Sequence, residues 1–288
     1  MKAKPILVAA VAVLLSCVSA FAQTDYSLFM RSDGVQVPEV VSETPVLYNQ
    51  VGHHGPAVEN SHFAVRVYFN DSGALDPYCK SGKQMELRKY LWNTSEQQHR
   101  EEGAGCDDYV VGQTVGPGGI ALWDGEKEVK LVATKGRTAR AGKTAKGAFA
   151  EIISYGVEYK GELVDISLRV DMFDDSRVAQ VTATELNGRK VRFLTGVNFQ
   201  PGEEMQFGRR YIAVWGTHPS SVLSAHPQAV GAGLKFKACR FSKVEKTADM
   251  LRIISKPAKQ VKTRLIVASP REDELNTMEK FFSYMAKR

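Results

Sequence analysis

Polar and ionisable side chains are concentrated between residues 52 and 80 of this sequence. The segment combines histidines, carboxylates, an amide, a tyrosine and basic residues with an alternating strand, His62 to Phe69. A strand that only packs a core does not need so many groups able to exchange protons or bind polar ligands. The segment therefore predicts a functional site. Candidates for catalysis are His54, Glu59, Arg66 and Tyr78, and candidates for substrate binding are His53, Asn60, Asp76 and Lys80.

His53 and His54 are adjacent, and neighbouring residues of a regular strand point to opposite faces. Only an irregular loop could bring both imidazoles to one ligand, and the flanking glycines and proline favour such a loop. Paired with Glu59 or Asp76, the histidines could exchange protons or bind a metal, but the spacing matches no known metal geometry. We predict no metal site and no cofactor, with calcium left open. A structural loop, whose side chains satisfy backbone groups, is the alternative interpretation.

A second polar cluster runs from Trp92 to Tyr109. Aromatic rings beside amides and carboxylates suit sugars, whose C–H faces stack on rings while their hydroxyls hydrogen-bond to the polar groups. A solvated loop explains most of these residues equally well. The candidates for substrate binding here are Trp92, Gln97, His99 and Asp107.

The first 22 residues have the pattern of a signal peptide. Lys2 and Lys4 precede an apolar run, Ile6 to Val18, that is too short to span a bilayer, and Ala20-Phe21-Ala22 provides a small-residue cleavage site. A rival interpretation is a lipoprotein acylated at Cys17, which would tether the chain to a membrane. Either pattern predicts export, to the periplasm, the medium or a membrane surface.

The remaining residues, 23 to 288, are expected to form one β-rich domain. Removal of two lysines with the signal peptide lowers the formal net charge from +6 to +4. Outside the cytoplasm, clustered basic residues are expected to contact acidic glycans or anionic surfaces, and nucleic acid is not predicted as a partner. The sequence leaves the oligomeric state open.

Three cysteines remain after removal of the signal peptide: Cys79, Cys106 and Cys239. An odd number in an oxidising compartment allows one disulfide and one spare thiol. We predict a bond between Cys79 and Cys106, because both flank the polar cluster. The absence of a C-x-x-C pair argues against a structural zinc site.

Alternating β-branched runs recur along the chain and are separated by turn signals, which predicts an all-β fold, a large antiparallel β-sandwich. Asn187-Gly188, between two such runs, predicts a hairpin. The predicted strands are Phe63 to Phe69, Val129 to Ala133, Ala148 to Tyr155, Glu162 to Met172, Val178 to Leu186, Val191 to Asn198 and Tyr211 to Trp215.

The end of the chain predicts an amphipathic helix. Ser269 and Glu272 have the spacing of a capping box, with Pro270 at the first helical position. Apolar residues then recur on one face, which we expect to dock against the sheet. These apolar residues are Leu275, Met278, Phe282 and Met285.

Several short motifs follow one another along the chain in the order Gly52-His-His-Gly-Pro, Glu59-Asn60, Ala64-x-Arg66-x-Tyr68, Asp76-x-Tyr78-x-Lys80, Glu96-Gln-Gln98, Gly105-Cys-Asp107 and Gly116-x-Gly-Gly119. This order resembles a family of secreted Bacteroidetes proteins classified as a domain of unknown function. The resemblance covers most of the mature chain and implies a galactose-mutarotase-like β-supersandwich associated with polysaccharide-utilisation loci. It raises the expectation of a glycan ligand without naming a reaction.

Together these features predict β-elimination on a uronate-containing glycan. Such a lyase must offset the sugar carboxylate, abstract the adjacent proton and protonate the leaving oxygen. Arg66 or Lys80 could offset the carboxylate, His54 could act as base, and Tyr78 could act as base or acid.

Three alternatives remain open. A hydrolase would use two carboxylates such as Glu59 and Asp76. A mutarotase needs only an acid and a base, which His54 and Glu59 could provide. A non-catalytic glycan-binding protein would use the same aromatic rings and amides only to hold the sugar. Convergent His54, Arg66 and Tyr78 in a cleft would favour the lyase, and an open aromatic platform would favour the binding protein.

Overall fold

The structure is a computed structural model that describes residues 24–174, 176–219 and 227–287. The predicted signal peptide and Cys17 lie outside these residues. No helix in the described part of the chain is long and apolar enough to cross a membrane.

Within the described ranges the chain consists mainly of strands, with three α-helices and short 3₁₀ turns at Gly52–His54 and Ala238–Arg240. The helices are α1 (Leu87–Tyr90), α2 (Glu96–Glu102) and α3 (Met278–Ala286). The strands are β1 (Thr24–Ser27), β2 (Glu39–Ser42), β3 (Ala57–Asn60), β4 (Phe63–Val67), β5 (Leu75–Cys79), β6 (Ala121–Trp123), β7 (Glu128–Val129), β8 (Arg137–Thr144), β9 (Gly147–Tyr159), β10 (Glu162–Phe173), β11 (Ala179–Glu185), β12 (Phe193–Asn198), β13 (Glu204–Gly208), β14 (Tyr211–Thr217), β15 (Ala229–Phe236), β16 (Glu245–Lys246), β17 (Met250–Ile254) and β18 (Gln260–Ala268).

These strands form three antiparallel sheets. The largest has nine strands in the order β13-β14-β15-β18-β11-β10-β9-β8-β2, the second has five in the order β16-β17-β12-β6-β7, and the third has four in the order β1-β3-β4-β5. Apolar side chains from all three sheets meet in one core, for example Leu168, Phe193 and Phe63. The prediction of an all-β sandwich with a C-terminal helix is therefore confirmed.

Strand β10 illustrates why the sequence adopts this architecture. Its even-numbered residues from Val164 to Met172 are buried, while Asp165, Arg169 and Asp171 between them are more exposed. A period of two directs one set of side chains to the core and the other towards solvent. The alternation that predicts the strand also fixes its orientation in the sheet.

The predicted hairpin at Asn187-Gly188 is wrong. Strand β11 before it pairs with β10 and β18 of the nine-stranded sheet, whereas β12 after it pairs with β17 and β6 of the five-stranded sheet. Asn187 hydrogen-bonds to Asp165 through both its carbonyl oxygen and its amide, and Gly188 has a φ of +87°. The turn has the hydrogen bonds and the left-handed glycine expected of an Asn-Gly turn, but it connects strands of two different sheets.

The C-terminal helix docks as predicted but begins later. Helix α3 starts after Thr277, whose hydroxyl accepts a hydrogen bond from the backbone N–H of Lys280. The predicted cap at Ser269 forms only a turn, because Glu272 is ion-paired with Arg177. The buried face of α3 consists of Phe281 and Met285, which pack against Ala213 and Ile266 of the nine-stranded sheet, whereas Phe282 is only partly buried.

Replacing Phe281 with alanine should test this docking. Phe281 is completely buried, so we expect Phe281→Ala to lower the free energy of unfolding by about 3–5 kcal/mol in a urea titration. Phe207 in β13 is 54% exposed, and Phe207→Ala should change the same free energy by no more than about 0.5 kcal/mol. Equal effects of the two substitutions would contradict the docking of α3.

Candidate functional site

The outer face of the four-stranded sheet carries most of the predicted site residues. In β4, Phe63 and Val65 point into the main core, while Ala64 and Arg66 point the other way. Register aligns Arg66 with Asp76 on β5, and Ala64 with Tyr78 on β5 and with Glu59 on β3. The candidates on this face are Glu59, Arg66, Asp76, Tyr78 and Lys80.

At one end of this face, Glu59 and Lys80 form a completely buried ion pair. Lys80 Nζ donates to Glu59 Oε2 at 2.8 Å and to the carbonyl oxygen of Asn60 at 2.8 Å. The Glu59 carboxylate also accepts hydrogen bonds at 2.9 Å from the backbone N–H groups of Glu86 and Leu87, where α1 begins. Glu59 therefore holds α1 against the sheet, and its oxygens are occupied.

Asn60 and Tyr78 are also committed to internal contacts. The side-chain oxygen of Asn60 accepts hydrogen bonds from the backbone of His62 and Phe63, which shapes the turn between β3 and β4. The Tyr78 hydroxyl donates to Glu86 Oε2 at 2.8 Å, and burial followed by the charge of Glu86 raises the pKa of Tyr78. Neither side chain is in position to meet a ligand from solvent.

Arg66 lies in the middle of the face and bridges two carboxylates. Its Nε donates to Asp76 Oδ2 at 2.8 Å, and its Nη2 donates to Asp76 Oδ2 at 2.5 Å and to Asp107 Oδ2 at 3.0 Å. The guanidinium carbon lies 4.6 Å from the centre of the Trp92 ring, within the range of a cation–π interaction. Four of the site candidates chosen from the sequence therefore lie together in the fold: Arg66, Asp76, Trp92 and Asp107.

Arg66 brings one positive charge to two buried carboxylates, Asp76 and Asp107. Burial, with the charge of Asp76 adding to it, raises the pKa of Asp107 to about 8, and the neighbouring Arg66 only partly opposes this shift. The raised pKa favours the protonated form of Asp107, and with that proton in place the cluster of Arg66, Asp76 and Asp107 is close to neutral overall.

Beyond Arg66, three half-buried aromatic rings form the open end of the site. Tyr48 stacks on His54 with ring centres 3.9 Å apart and planes within 10°. Tyr68 meets Tyr48 edge-on at 5.0 Å and lies 6.4 Å from His54. The Tyr68 hydroxyl donates to Asp76 Oδ2 at 2.6 Å and accepts from Arg66 Nη2 at 3.3 Å. These rings connect the buried charge cluster to solvent.

The tautomer of His54 follows from its partner. Its Nδ1 lies 2.7 Å from the carbonyl oxygen of Tyr48, which can only accept a hydrogen bond, so Nδ1 carries the proton. Burial lowers the pKa of His54, so the ring is neutral at pH 7 and its Nε2 carries a lone pair. That Nε2 makes no hydrogen bond within the described part of the chain. His54 is therefore able to accept a proton from a ligand.

The histidine loop is irregular as predicted, but the two imidazoles do not converge. His53 and His54 both have left-handed backbone conformations, with φ of 55° and 62°, which cost energy in residues other than glycine. His53 points inwards, where its Nε2 lies 2.9 Å from Ser27 Oγ, and burial lowers its pKa to about 3. Only His54 is open to a ligand.

Gln97 and His99 lie on α2 and do not join the cluster around Arg66. Gln97 is exposed and donates to Glu101 on the same helix at 2.9 Å. His99 Nδ1 lies 3.0 Å from the carbonyl oxygen of Ala104, and its Nε2 lies 3.1 Å from the sulfur of Cys106. The predicted substrate-binding role of this pair has no support from its position.

The predicted disulfide between Cys79 and Cys106 is wrong in this structure, where both are free thiols. The two residues lie opposite each other and exchange both backbone hydrogen bonds, at 2.9 and 2.8 Å. The prediction that Cys79 and Cys106 lie close together is therefore confirmed, but the sulfur of Cys106 contacts the His99 ring rather than the sulfur of Cys79. Burial raises the pKa of both thiols.

Sequence analysis missed Tyr48 and Tyr68. Tyr68 lies two residues after Arg66 on an alternating strand, so the pattern does place it on the same face. Tyr48 carries no such signal, because a loop brings it to His54. The described part of the chain contains no group of three or more His, Cys, Asp or Glu residues arranged to hold a metal ion.

Breaking the buried ion pair should test its structural role. Lys80→Met leaves the Glu59 charge buried without its cation, and we expect the free energy of unfolding to fall by about 3–5 kcal/mol in a urea titration. The double substitution with Glu59→Gln should recover part of this loss. The matched control is Arg189→Met in an exposed pair with Glu162, which should cost at most about 1 kcal/mol. A loss no greater than the control would contradict the assignment.

Comparison with known proteins gives a family and distant structural likenesses. A search of solved structures finds the 4-alpha-glucanotransferase from Thermococcus litoralis, with 9% sequence identity and a TM-score of 0.35. The match covers 75% of this chain, which spans only 39% of that enzyme. No curated protein matches the sequence. The family model for the domain of unknown function DUF4861 matches residues 19–288, so the chain belongs to the DUF4861 family.

Proposed function

We propose that this protein is a carbohydrate-active enzyme that cleaves a uronate-containing glycan by β-elimination. The observation that carries the proposal is the neutral His54, whose Nε2 is free beside Tyr68 and the Arg66 cluster. The proposal includes export and a role in a bacterial polysaccharide-utilisation system, as the signal-peptide pattern and the family resemblance imply.

The reaction needs a base and an acid. His54 Nε2 takes the proton from the carbon next to the sugar carboxyl, and the C–H electron pair becomes the new C=C bond. The bond from the neighbouring carbon to the leaving oxygen then breaks, and that oxygen takes a proton from the Tyr68 hydroxyl. Burial, with the charge of Asp76 next, raises the pKa of Tyr68, so its hydroxyl is protonated at neutral pH and would give up its proton only as negative charge develops on the leaving oxygen.

This assignment moves the acid from Tyr78 to Tyr68. Both tyrosines lie on the same face, but the Tyr78 hydroxyl is buried against Glu86. The Tyr68 hydroxyl also donates to a carboxylate, Asp76 Oδ2 at 2.6 Å, but Tyr68 is only half-buried and lies 6.4 Å from His54 between ring centres.

As the proton is removed, negative charge develops on the sugar carboxyl group. A cation or hydrogen-bond donor beside that group would stabilise the developing charge. Arg66 Nη1 donates no hydrogen bond within the described part of the chain, whereas its Nε and Nη2 are occupied by carboxylates and Tyr68. Protonation of Asp107 beside it would remove a charge that repels the substrate. Arg66 would therefore bind the carboxylate, with protonated Asp107 next to it.

Hydrolysis has less support. The predicted carboxylate pair was Glu59 and Asp76, and the Glu59 oxygens are occupied by Lys80 and two backbone N–H groups. Non-catalytic binding is the second candidate function, because Tyr48, His54 and Tyr68 offer rings on which a sugar can stack. The rings serve either function, so kinetics must decide.

The first experiment incubates the protein lacking its first 22 residues with uronate-containing polysaccharides and oligosaccharides. Absorbance of unsaturated uronates and the number of reducing ends are followed together. We expect both signals to rise, and His54→Ala or Tyr68→Phe to lower kcat/KM by about 10²- to 10⁴-fold because each removes one proton transfer. His62→Gln and Tyr155→Phe, outside the site, are the matched controls.

Other outcomes of this experiment separate the alternatives. Reducing ends without new absorbance would indicate hydrolysis, and exchange of anomers without either product would indicate a mutarotase. Binding to the glycan without any turnover would indicate the second candidate. Each of these results would overturn β-elimination.

The pH dependence of kcat/KM should show which protonation states matter. The base needs neutral His54, whose lowered pKa should put the acid limb below the usual histidine value near 6.5. Binding needs protonated Asp107, so activity should fall again as pH rises through about 8. Asp107→Asn cannot ionise and should remove the alkaline limb while leaving the acid limb in place. An alkaline limb unchanged in Asp107→Asn would contradict the role of Asp107.

A further inference from the structure

The nine-stranded sheet carries a basic groove, whereas the candidate site lies on the four-stranded sheet. The groove has a volume of about 810 Å³ and its lining contains seven basic residues and no acidic residue. We call it the basic groove and define it by Arg209, Arg210, Lys235, Lys237, Arg240, Lys262 and Arg264.

Strand register brings these cations together. In β18, Lys262 and Arg264 are exposed and alternate with Val261 and Thr263, which are buried. Arg264 lies opposite Lys235 of β15 on one side and opposite a glutamine of β11 on the other. The turn between β13 and β14 and the segment after β15 add the remaining cations from beyond the strand ends. The groove is therefore built on a rigid sheet.

The charge of the groove is not neutralised internally. None of its seven cations forms an ion pair with a carboxylate in the described part of the chain, although exposed arginines elsewhere do, as in Arg252–Glu245 at 2.9 Å and Arg140–Glu39 at 2.5 Å. Lys235 Nζ donates instead to the main-chain oxygen of Tyr284 at 2.9 Å. Burial and then the charge of Arg264, which lies opposite Lys235 in the sheet, lower the pKa of Lys235.

The positive surface continues beyond the groove. A second depression of about 400 Å³ shares Arg240 and Val261 with the groove and adds Lys256. A single small anion would contact only a few of the cations that line these two adjoining depressions. Regularly spaced negative charges on a polymer would match it and would gain affinity from the release of counterions.

We infer that the basic groove binds a linear anionic polysaccharide, one that carries carboxylate or sulfate groups along its chain. The choice of a polysaccharide over other polyanions rests on the proposed function, whereas the anionic character of the ligand follows from the groove itself. The groove and the His54 site lie on different sheets, so the groove would hold the polymer at a second point while the site acts on one bond.

The test uses the protein lacking its first 22 residues and measures its binding of polygalacturonate and heparin. The same measurement is made on the triple variant Arg210→Gln/Lys262→Gln/Arg264→Gln. We expect the triple variant to bind at least about tenfold more weakly at low salt, and the difference to shrink as salt increases. The control triple variant Lys127→Gln/Lys130→Gln/Lys190→Gln removes the same charge from exposed lysines that form no ion pair in the described part of the chain, and should bind normally. Thermal unfolding of both variants checks that each is folded.

Several results would overturn the inference. These are no binding of either polysaccharide by the unmodified protein, an equal loss in both triple variants, and tighter binding to single-stranded DNA or to phosphatidylglycerol vesicles than to the polysaccharides.

The outcome is separable from that of the proposed function. His54→Ala should keep the groove's affinity for the polymer, and the triple variant should keep kcat on a short oligosaccharide. If no turnover is found but the triple variant loses polymer binding, the groove inference stands and β-elimination fails. If turnover is found with an unchanged KM for the polymer in the triple variant, the groove inference fails alone.

Discussion

Arg66 is the group on which the candidate site depends. It is buried, and a buried charge is stable only when it is paired and hydrogen-bonded. Asp76 on the neighbouring strand and Asp107 on the segment after α2 provide the pairing, so one guanidinium connects two parts of the chain that are remote in sequence. Because two carboxylates lie close together in a buried place, burial and the charge of Asp76 raise the pKa of Asp107 and favour its protonated form. The acid–base character of the site is thus a consequence of how Arg66 is buried.

The backbone around this cluster is held in conformations that an isolated chain would avoid. His54 on one side and Leu91 and Trp92 on the other have left-handed φ values of 62°, 50° and 71°. Such conformations cost about 1–3 kcal/mol each and persist only where packing enforces them. Trp92 covers Arg66 and His54 stacks on Tyr48, so the strained residues are also those that enclose the charge cluster. Packing energy is therefore used to fix the orientation of the imidazole and the indole.

The sequence predicts which side chains share the sheet face of the site, but not how deeply each of them is buried. Alternation along β4 and β5 correctly groups Arg66, Asp76 and Tyr78, because a period of two depends only on neighbouring residues. It cannot tell Tyr68 from Tyr78, since both occupy equivalent positions on that face and only the segment containing α1 and Glu86 decides which one is covered. The error at Asn187-Gly188 has the same origin: turn chemistry is local, whereas the choice of pairing partner is made by strands far away in the sequence.

The two charged regions of the molecule differ in the range of their electrostatic effects. The Arg66 cluster is close to neutral overall, so it can orient a carboxylate at contact distance but attracts it little from solution. The cations of the basic groove have no carboxylate partners in the described part of the chain, so their field extends into solvent as far as screening allows, about 8–10 Å at ordinary salt. The two regions would therefore have different roles on an acidic polymer. The charged groove on the nine-stranded sheet would attract the polymer, and the nearly neutral site on the four-stranded sheet would transfer protons. Such a division would let Asp107 remain protonated beside the bound sugar carboxylate without weakening capture of the substrate.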